Sequence, residues 1–328
     1  MTKTRSFRPK ALFASALAGL ALLAGAAAQA QDYPSKPITI VVPFAPGSGT
    51  DQQARALGQA LTAEYKVPVL VDDKPGASGF IASQYVAKAA PDGYTILMTT
   101  NTTHAANEHL YKKLPYDPVK DFAPVALLSK GHMLMVVNPA SSAKTPADII
   151  ATAKKSPGKL TFASGSSSSR VAGELFKQMT GIEVLHVPYK SNPLAITDLL
   201  GGQVDFMFTD APTALPQVNG GKLRPLAVSG TKRLAAVPQV PTVEEAGVKG
   251  YDMSYWTAVY LPAGAPPAVV KRLNEMFVKV SGSAESRAFQ ANTSGEITTT
   301  TPEGLAAFQA AESKKWGTVI RAAGIQPE

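Results

Sequence analysis

Apolar runs that each break into a polar, small-residue loop and then a helical stretch set the fold class of this chain. ITIVVPF (38–44) precedes a helical stretch over about 51–65, and VPVLVDD (67–73) precedes one over about 79–89. YTILMTT (94–100) is a third run of the same kind. Parallel neighbours in a sheet need a crossover, usually a helix, so repeated strand–helix units predict an α/β fold with a parallel sheet.

A second series starts near residue 126. ALLSKGHMLMVVN predicts a bend between two strands, and PADIIATAKKS a helix. KLTFASG, EVLHVPY, VDFMF and LRPLAVS follow as strands separated by helical segments. After SYWTAVYLPAG (254–264), PPAVVKRLNEMFVKV and PEGLAAFQAAESKKWGTVIRAAG read as helices starting at or just after proline. The sequence shows no internal repeat and no flexible tether. It therefore predicts a two-lobed α/β fold with a ligand cleft between two α/β domains joined by crossing strands. The expected division is residues 31–127 plus 254–328 in domain 1 and 128–253 in domain 2.

The first thirty residues read as an export signal outside that fold. Lys3, Arg5, Arg8 and Lys10 form a basic region, residues 11–28 are mostly Ala, Leu and Gly, and Ala28-Gln29-Ala30 offers a small-x-small cleavage site. Cleavage after Ala30 and a periplasmic location are expected. The chain has no cysteine, which removes disulfides, thiolate metal sites and a cysteine nucleophile together. A net charge of +8 falls to +4 once the four basic leader residues are gone, because that leader contains no acid. The remaining basic residues are scattered, which argues against a nucleic-acid partner.

Chemistry is carried by the loops. PFAPGSGTD lacks the Walker spacing and lysine, and Gln52 stands where a dinucleotide fingerprint needs its third glycine. It is either an ordinary turn or a nest of N–H groups for a small carboxylate. In ASGSSSSRVAGE, Ser169 stands where a hydrolase elbow needs glycine. That stretch is either a solvated serine loop or a set of donors with Arg170 as a bidentate partner. His104 and His109 are five apart, off the one-face helical spacing, so no metal and no cofactor are expected. DDKPGASGF, TTNTTHAAN and MFTDAPT complete five polar loops at predicted strand ends, where ligands of open α/β sheets bind.

These loops resemble those of the Bug-type extracytoplasmic solute receptors of tripartite tricarboxylate transporters. The likeness runs in order along the chain expected after export. It includes YPSKPITIVVPFAPGSGTD, VDDKPGASGFIAS, PDGYTILMTT, LPYDPVKDFAPVALL, FASGSSSSRVAGELFKQMTG, VPYKS, GGQVDFMF, GKLRPLAVSGTKR, VPTVEEAGVKGYD and LPAGAPPAVVKRLN. The resemblance implies a non-catalytic receptor, a monomer, that captures a small organic anion. The ligand is expected to be a di- or tricarboxylate, aliphatic or aromatic, delivered to a large and a small integral-membrane subunit. It implies a first wall of Phe44, Pro46, Gly47, Ser48, Gly49, Thr50 and Asp51, with Gly76, Ala77, Ser78, Gly79, Thr100, Asn101 and His104. The facing wall would be Ser164, Gly165, Ser166, Ser167, Ser168, Ser169 and Arg170, with Tyr189, Lys190, Thr209 and Asp210. Family members commonly carry histidine where Arg170 stands and an acid where Thr209 stands; the exchange implies a dicarboxylate rather than an amino acid. The residues alone leave two other readings open: a secreted hydrolase or lyase using Ser166 to Ser169 or His104, and an adaptor presenting a ligand to a membrane sensor.

Overall fold

The computed structural model describes residues 33–328; the basic leader and the cleavage site after Ala30 lie outside the described residues. The first βαβ group comprises β1 (Ile38–Val42), α1 (Gly49–Tyr65), β2 (Val69–Asp73), α2 (Phe80–Ala87) and β3 (Thr95–Thr100). A π-turn (Thr102–Ala106) and the short α3 (Asn107–Leu110) lead to β4 (Phe122–Val137). The second group comprises α4 (Pro146–Lys155), β5 (Thr161–Ser164), α5 (Ser167–Thr180), β6 (Leu185–Pro188), α6 (Asn192–Leu200), β7 (Phe206–Asp210), α7 (Ala211–Asn219) and β8 (Arg224–Val228). The chain closes with β9 (Ser254–Pro262), α8 (Pro267–Ser281), α9 (Ala284–Thr293), β10 (Glu296–Ile297) and α10 (Pro302–Ala322). Among the described residues no helix is long and apolar enough to cross a membrane.

The strands run in the order β2-β1-β3-β9-β4-β7-β5-β6, with β8 and β10 also paired to β4. Pairs within each outer group are parallel: β1 with β2 and β3, and β5 with β6 and β7. Pairs involving β4 or β9 are antiparallel. Thus the two crossover-built groups are joined through two long antiparallel strands.

One sequence expectation fails here. ALLSKGHMLMVVN is not a bend between two strands but the body of one 16-residue strand, β4. Its partners change instead: Phe122 to His132 pair with β9, and Met133 to Val137 pair with β7. Gly131 sits beside this exchange because a Cβ there would lie 2.5 Å from the Tyr255 hydroxyl.

The serine-rich helix α5 rests on an aromatic layer. Phe162, Phe176, Phe206, Phe208 and Tyr251 are all fully buried, with Phe208 and Tyr251 stacked at a centroid distance of 5.8 Å. This layer fixes the helix so that its N-terminal turn reaches the loops of the first group. Trp256 is buried as a core residue and donates Nε1–H to Glu312 Oε2 at 3.1 Å.

Candidate functional site

The loop after β1 ends in a cap. Ser48 is extended (φ −66°, ψ 155°), and its Oγ accepts from Asp51 N–H at 3.2 Å, starting α1. Asp51 turns away from the opening: Oδ2 accepts from Gly47 N–H at 2.8 Å, and Oδ1 lies 2.7 Å from Arg55 Nε. Arg55 Nη2 in turn reaches Asp73 Oδ2 at 3.0 Å. Burial, with Asp51 close by, pushes the Asp73 carboxyl up to about 6. Asp51 therefore holds the loop in shape from behind, leaving the first turn of α1 facing inward.

The second serine loop is built the same way. Ser166 caps α5, its Oγ accepting from Ser169 N–H at 3.2 Å. Ser168 Oγ accepts from Asn101 Nδ2 at 2.7 Å, and Ser167 Oγ donates to Asn107 Oδ1 at 2.7 Å. Ser169 Oγ donates to the Phe208 carbonyl. The serine run is thus neither a solvated loop nor a set of free nucleophiles; three of its hydroxyls anchor the helix start to neighbouring elements.

A line of hydrogen bonds links the two helix starts. Gly165 N–H donates to Asn192 Oδ1 at 3.0 Å, and Asn192 Nδ2 donates to Asp210 Oδ1 at 2.8 Å. Thr213 Oγ1 donates to Asp210 Oδ2 and accepts from Gly49 N–H at 2.9 Å. Asp210 is also the N-cap of α7, accepting from Thr213 N–H at 3.3 Å. Both of its oxygens are therefore engaged by neutral donors.

These elements surround a cavity of about 560 Å³, open space at its mouth included. Phe44, Ser48, Gly49, Thr50 and Gln53 come from the β1–α1 segment, and Thr100 from the end of β3. Ser166, Ser168, Asn192, Asp210 and Pro212 face them. Ser129 and Met133 of β4, Tyr255 and Thr257 of β9, and Phe289 and Gln290 of α9 complete the lining. A closed ring forms part of the floor: Gln53 Nε2 donates to Ser129 Oγ (3.1 Å), Thr257 Oγ1 donates to Gln53 Oε1 (2.9 Å), and Ser129 and Thr257 hydroxyls meet at 2.8 Å.

The electrostatics are unusual for an anion site. Among the described residues, no lysine, arginine or histidine lines this cavity, and Asp210 is its one carboxylate. Burial and the Asp210 charge push the Tyr255 phenol well above its ordinary value, so it stays neutral. Positive potential comes from the converging starts of α1 and α5, where first-turn N–H groups such as those of Thr50 and Ser168 have no intrahelical acceptor.

Of the residues singled out in the sequence, Phe44, Ser48, Gly49, Thr50, Thr100, Ser166, Ser168 and Asp210 line this cavity. Ser78, Ser164, Ser167, Arg170 and Tyr189 line a second cavity, also bounded by Ser166, Tyr111, His186, Pro188 and Glu328. Arg170 is thus not a partner for a ligand in the first cavity; its Nη1 contacts Glu328 Oε1. Ser167 and Arg170 are three apart on one face of α5, whereas Ser168 and Arg170 are about 200° apart around the helix. The exchange of histidine for Arg170 therefore adds no positive charge to the first cavity.

His104 also departs from expectation. It lies fully buried in the π-turn, stacked on Tyr260 at 4.0 Å and edge-on to Phe122 at 4.7 Å. Burial pushes its pKa down to about 3, so the ring is neutral. Asn101 stands behind the lining, donating to Ser168 and accepting from Trp256 N–H at 3.3 Å. Pro46, Gly47 and Lys190 are exposed, while Gly76, Ala77 and Gly79 belong to the turn before α2. Gly165, Ser169 and Thr209 are buried without lining either cavity.

The sequence reading missed Gln53, Ser129, Met133, Asn192, Pro212, Tyr255, Thr257, Phe289 and Gln290. Helical phase would place Gln53 with Gly49 and Thr50, and strand alternation would pair Ser129 with Met133 and Tyr255 with Thr257. Nothing local marks Phe289 and Gln290 as lining residues. Among the described residues, no group of three His, Asp or Glu side chains is placed to hold a metal ion.

Two βαβ groups, joined by antiparallel strands and meeting over a polar cavity at their strand ends, define a solute-binding receptor fold. A profile of the tripartite tricarboxylate transporter family receptor, TctC, matches residues 53–325. Protein BugT of Bordetella pertussis is 33% identical over 315 residues, 95% of this chain and 95% of its own. The structure of R. palustris Rpa4515 with adipate superposes with a TM-score of 0.88 at 34% identity, covering 90% of this chain and 100% of that one. MatC (Rpa3494) from Rhodopseudomonas palustris with bound malate gives 0.83 at 29% identity, covering 88% and 100%. This chain belongs to the tripartite tricarboxylate transporter receptor family, the TctC or Bug receptors. It is accordingly a periplasmic solute-binding receptor and not an enzyme, which sets aside the hydrolase and lyase readings.

Proposed function

We propose that the first cavity captures a small di- or tricarboxylate, with one carboxylate held by the first turns of α1 and α5. The observation that carries this reading is the convergence of two capped helix starts on a cavity lined, among the described residues, by no cationic side chain. Neutral donors and aligned peptide dipoles then supply the attraction. Phe44, Met133, Pro212 and Phe289 offer apolar surface to the carbon skeleton. The adipate and malate of the two similar structures support this ligand class.

The energetics are sufficient. Micromolar capture requires about −8 kcal/mol. Hydrogen bonds to a charged group contribute roughly 1.5–3 kcal/mol each, so three or four near the upper end of that range, with about 1 kcal/mol from the helix termini, reach that value.

The loaded receptor delivers its ligand, as a monomer, to a large and a small membrane subunit after export and cleavage following Ala30. Closure occurs between residues 31–127 plus 254–328 and residues 128–253, about the crossing strands. The partner exchange of β4 at His132 and Met133 supports this division.

A thermal-shift screen of adipate, malate, citrate, an aromatic dicarboxylate and the common amino acids tests the ligand class. Stabilisation by one or more carboxylates, each recovered chemically unchanged, is expected. Stabilisation by amino acids with no response to any di- or tricarboxylate overturns it.

A further inference from the structure

We propose that the second cavity is a separate carboxylate-binding site, occupied in this structure by the protein's own Glu328. The cavity encloses about 580 Å³, mouth included, and holds Arg170, His186, Ser164, Ser78 and Tyr111 opposite Glu328. The Arg170 side chain is 19% exposed, and its contact with Glu328 Oε1 is its one hydrogen bond among the described residues. Its Nε is buried with no acceptor. A guanidinium presents five N–H donors in a planar fork that matches a two-oxygen head. One contact leaves much of that fork open to the cavity, with its buried Nε unpaired.

Glu328 is a tethered occupant rather than a buried partner. Its side chain is 57% exposed, while its backbone is fixed by Glu328 N–H to Leu110 O at 3.0 Å and Lys112 N–H to Glu328 O at 2.8 Å. The other groups facing Arg170 bring no competing charge. Burial and then the Arg170 charge push His186 down to about 4, leaving it neutral, with Nε2 at 2.7 Å from Ser164 Oγ. Ser78 Oγ and Tyr111 Oη lie 2.7 Å apart and offer further hydroxyls. Tyr189 Oη is committed to Asp198 Oδ2 at 2.7 Å. The two cavities share Ser166 but differ in principle: the first attracts with dipoles, the second with one full positive charge.

This assignment does not rest on the reading of the first cavity. Equilibrium dialysis of the chain against labelled malate, at constant ionic strength, counts bound equivalents for wild type, Glu328→Gln, and Glu328→Gln combined with Arg170→Met or Arg170→Lys. Removing a tethered competitor, whose effective concentration is of millimolar order, should strengthen the second equivalent by at least about 10-fold. Glu328→Gln is thus expected to bind two equivalents, the second weakened by added salt. The Arg170→Met combination should lose the second equivalent and keep the first, with partial recovery in the Arg170→Lys combination. The absence, in Glu328→Gln, of any bound equivalent that Arg170→Met removes overturns the proposal. Displacement of the second equivalent by phosphate but not by acetate overturns its carboxylate class. A missing first equivalent beside a present second one refutes the first cavity's reading and leaves this one standing.

Discussion

Gly49 and Asp210 face each other so closely that a Cβ on Gly49 would stand 2.3 Å from Asp210 Oδ2. The same glycine donates its N–H to Thr213 Oγ1, so only the Asp210 and Thr213 side chains stand between the α1 start and the α7 start. Gly49→Ala must displace Asp210 or separate the two helix starts. Alanine in the first turn of a helix is otherwise favourable. Isothermal titration should show carboxylate affinity reduced about 10-fold or more, equivalent to roughly 1.4 kcal/mol, and the melting temperature of the unliganded chain should fall, because displacing Asp210 breaks its bonds to Asn192 and Thr213.

Asn192 and Thr213 hold the two oxygens of Asp210. Removing either takes a side-chain donor from this half-buried carboxylate, and a hydrogen bond to a charged group is worth about 1.5–3 kcal/mol. Asn192→Ala and Thr213→Val share this one carboxylate, so their effects should not add. A double-mutant cycle on ligand affinity should return a coupling of about 0.5–3 kcal/mol; strict additivity would show that Asp210 does not link them.

α9 brings Phe289 and Gln290 to the first cavity, although only three of its ten residues are buried. If Phe289 covers the carbon skeleton, truncation to alanine removes apolar contact worth about 1–3 kcal/mol. Phe289→Ala should therefore weaken an adipate-length ligand more than malate in parallel titrations. Equal losses for both would place the skeleton elsewhere.

The buried groups set an acid limb for stability. His104 is held neutral down to about 3 against an ordinary value of 6.5. Between those values the unfolded chain binds a proton that the folded chain does not, so stability falls as pH falls. Asp73 has the opposite sign. Its folded value, raised to about 6 from 3.8, favours the folded state as pH drops through that window. With His186 also lowered, to about 4, two histidines outweigh one carboxyl. Urea unfolding across this range should show stability decreasing toward acid. In His104→Leu the slope should lessen by about 1.4 kcal/mol per pH unit, and in Asp73→Asn it should steepen.

Much of this architecture was legible along the chain because it follows from local pattern. Ser48 and Ser166 are capping residues at strand-to-helix turns, and α1 starts at Gly49, two residues before the position that apolar periodicity gives it. The β4 misreading has a physical cause: Lys130-Gly131-His132 interrupts an apolar run, yet the strand continues because its partners, far away in sequence, change at that point. TTNTTHAAN reads as a polar loop at a strand end since its side chains are polar. In the structure those side chains satisfy one another, as in Thr99 Oγ1 with Thr103 Oγ1 at 2.6 Å and Asn101 with Ser168, and the segment is buried. Arg170 was a question of helical phase, and Phe289 one of tertiary placement. Phase could have been worked out from spacing; placement could not.

The most direct measurement is a crystal structure of the chain grown with malate or adipate. Ligand carboxylate oxygens are expected within hydrogen-bond distance of the Thr50 and Ser168 N–H groups, with the carbon skeleton against Phe44, Met133, Pro212 or Phe289. A ligand found at Arg170 alone, with the first cavity holding none, would contradict this expectation.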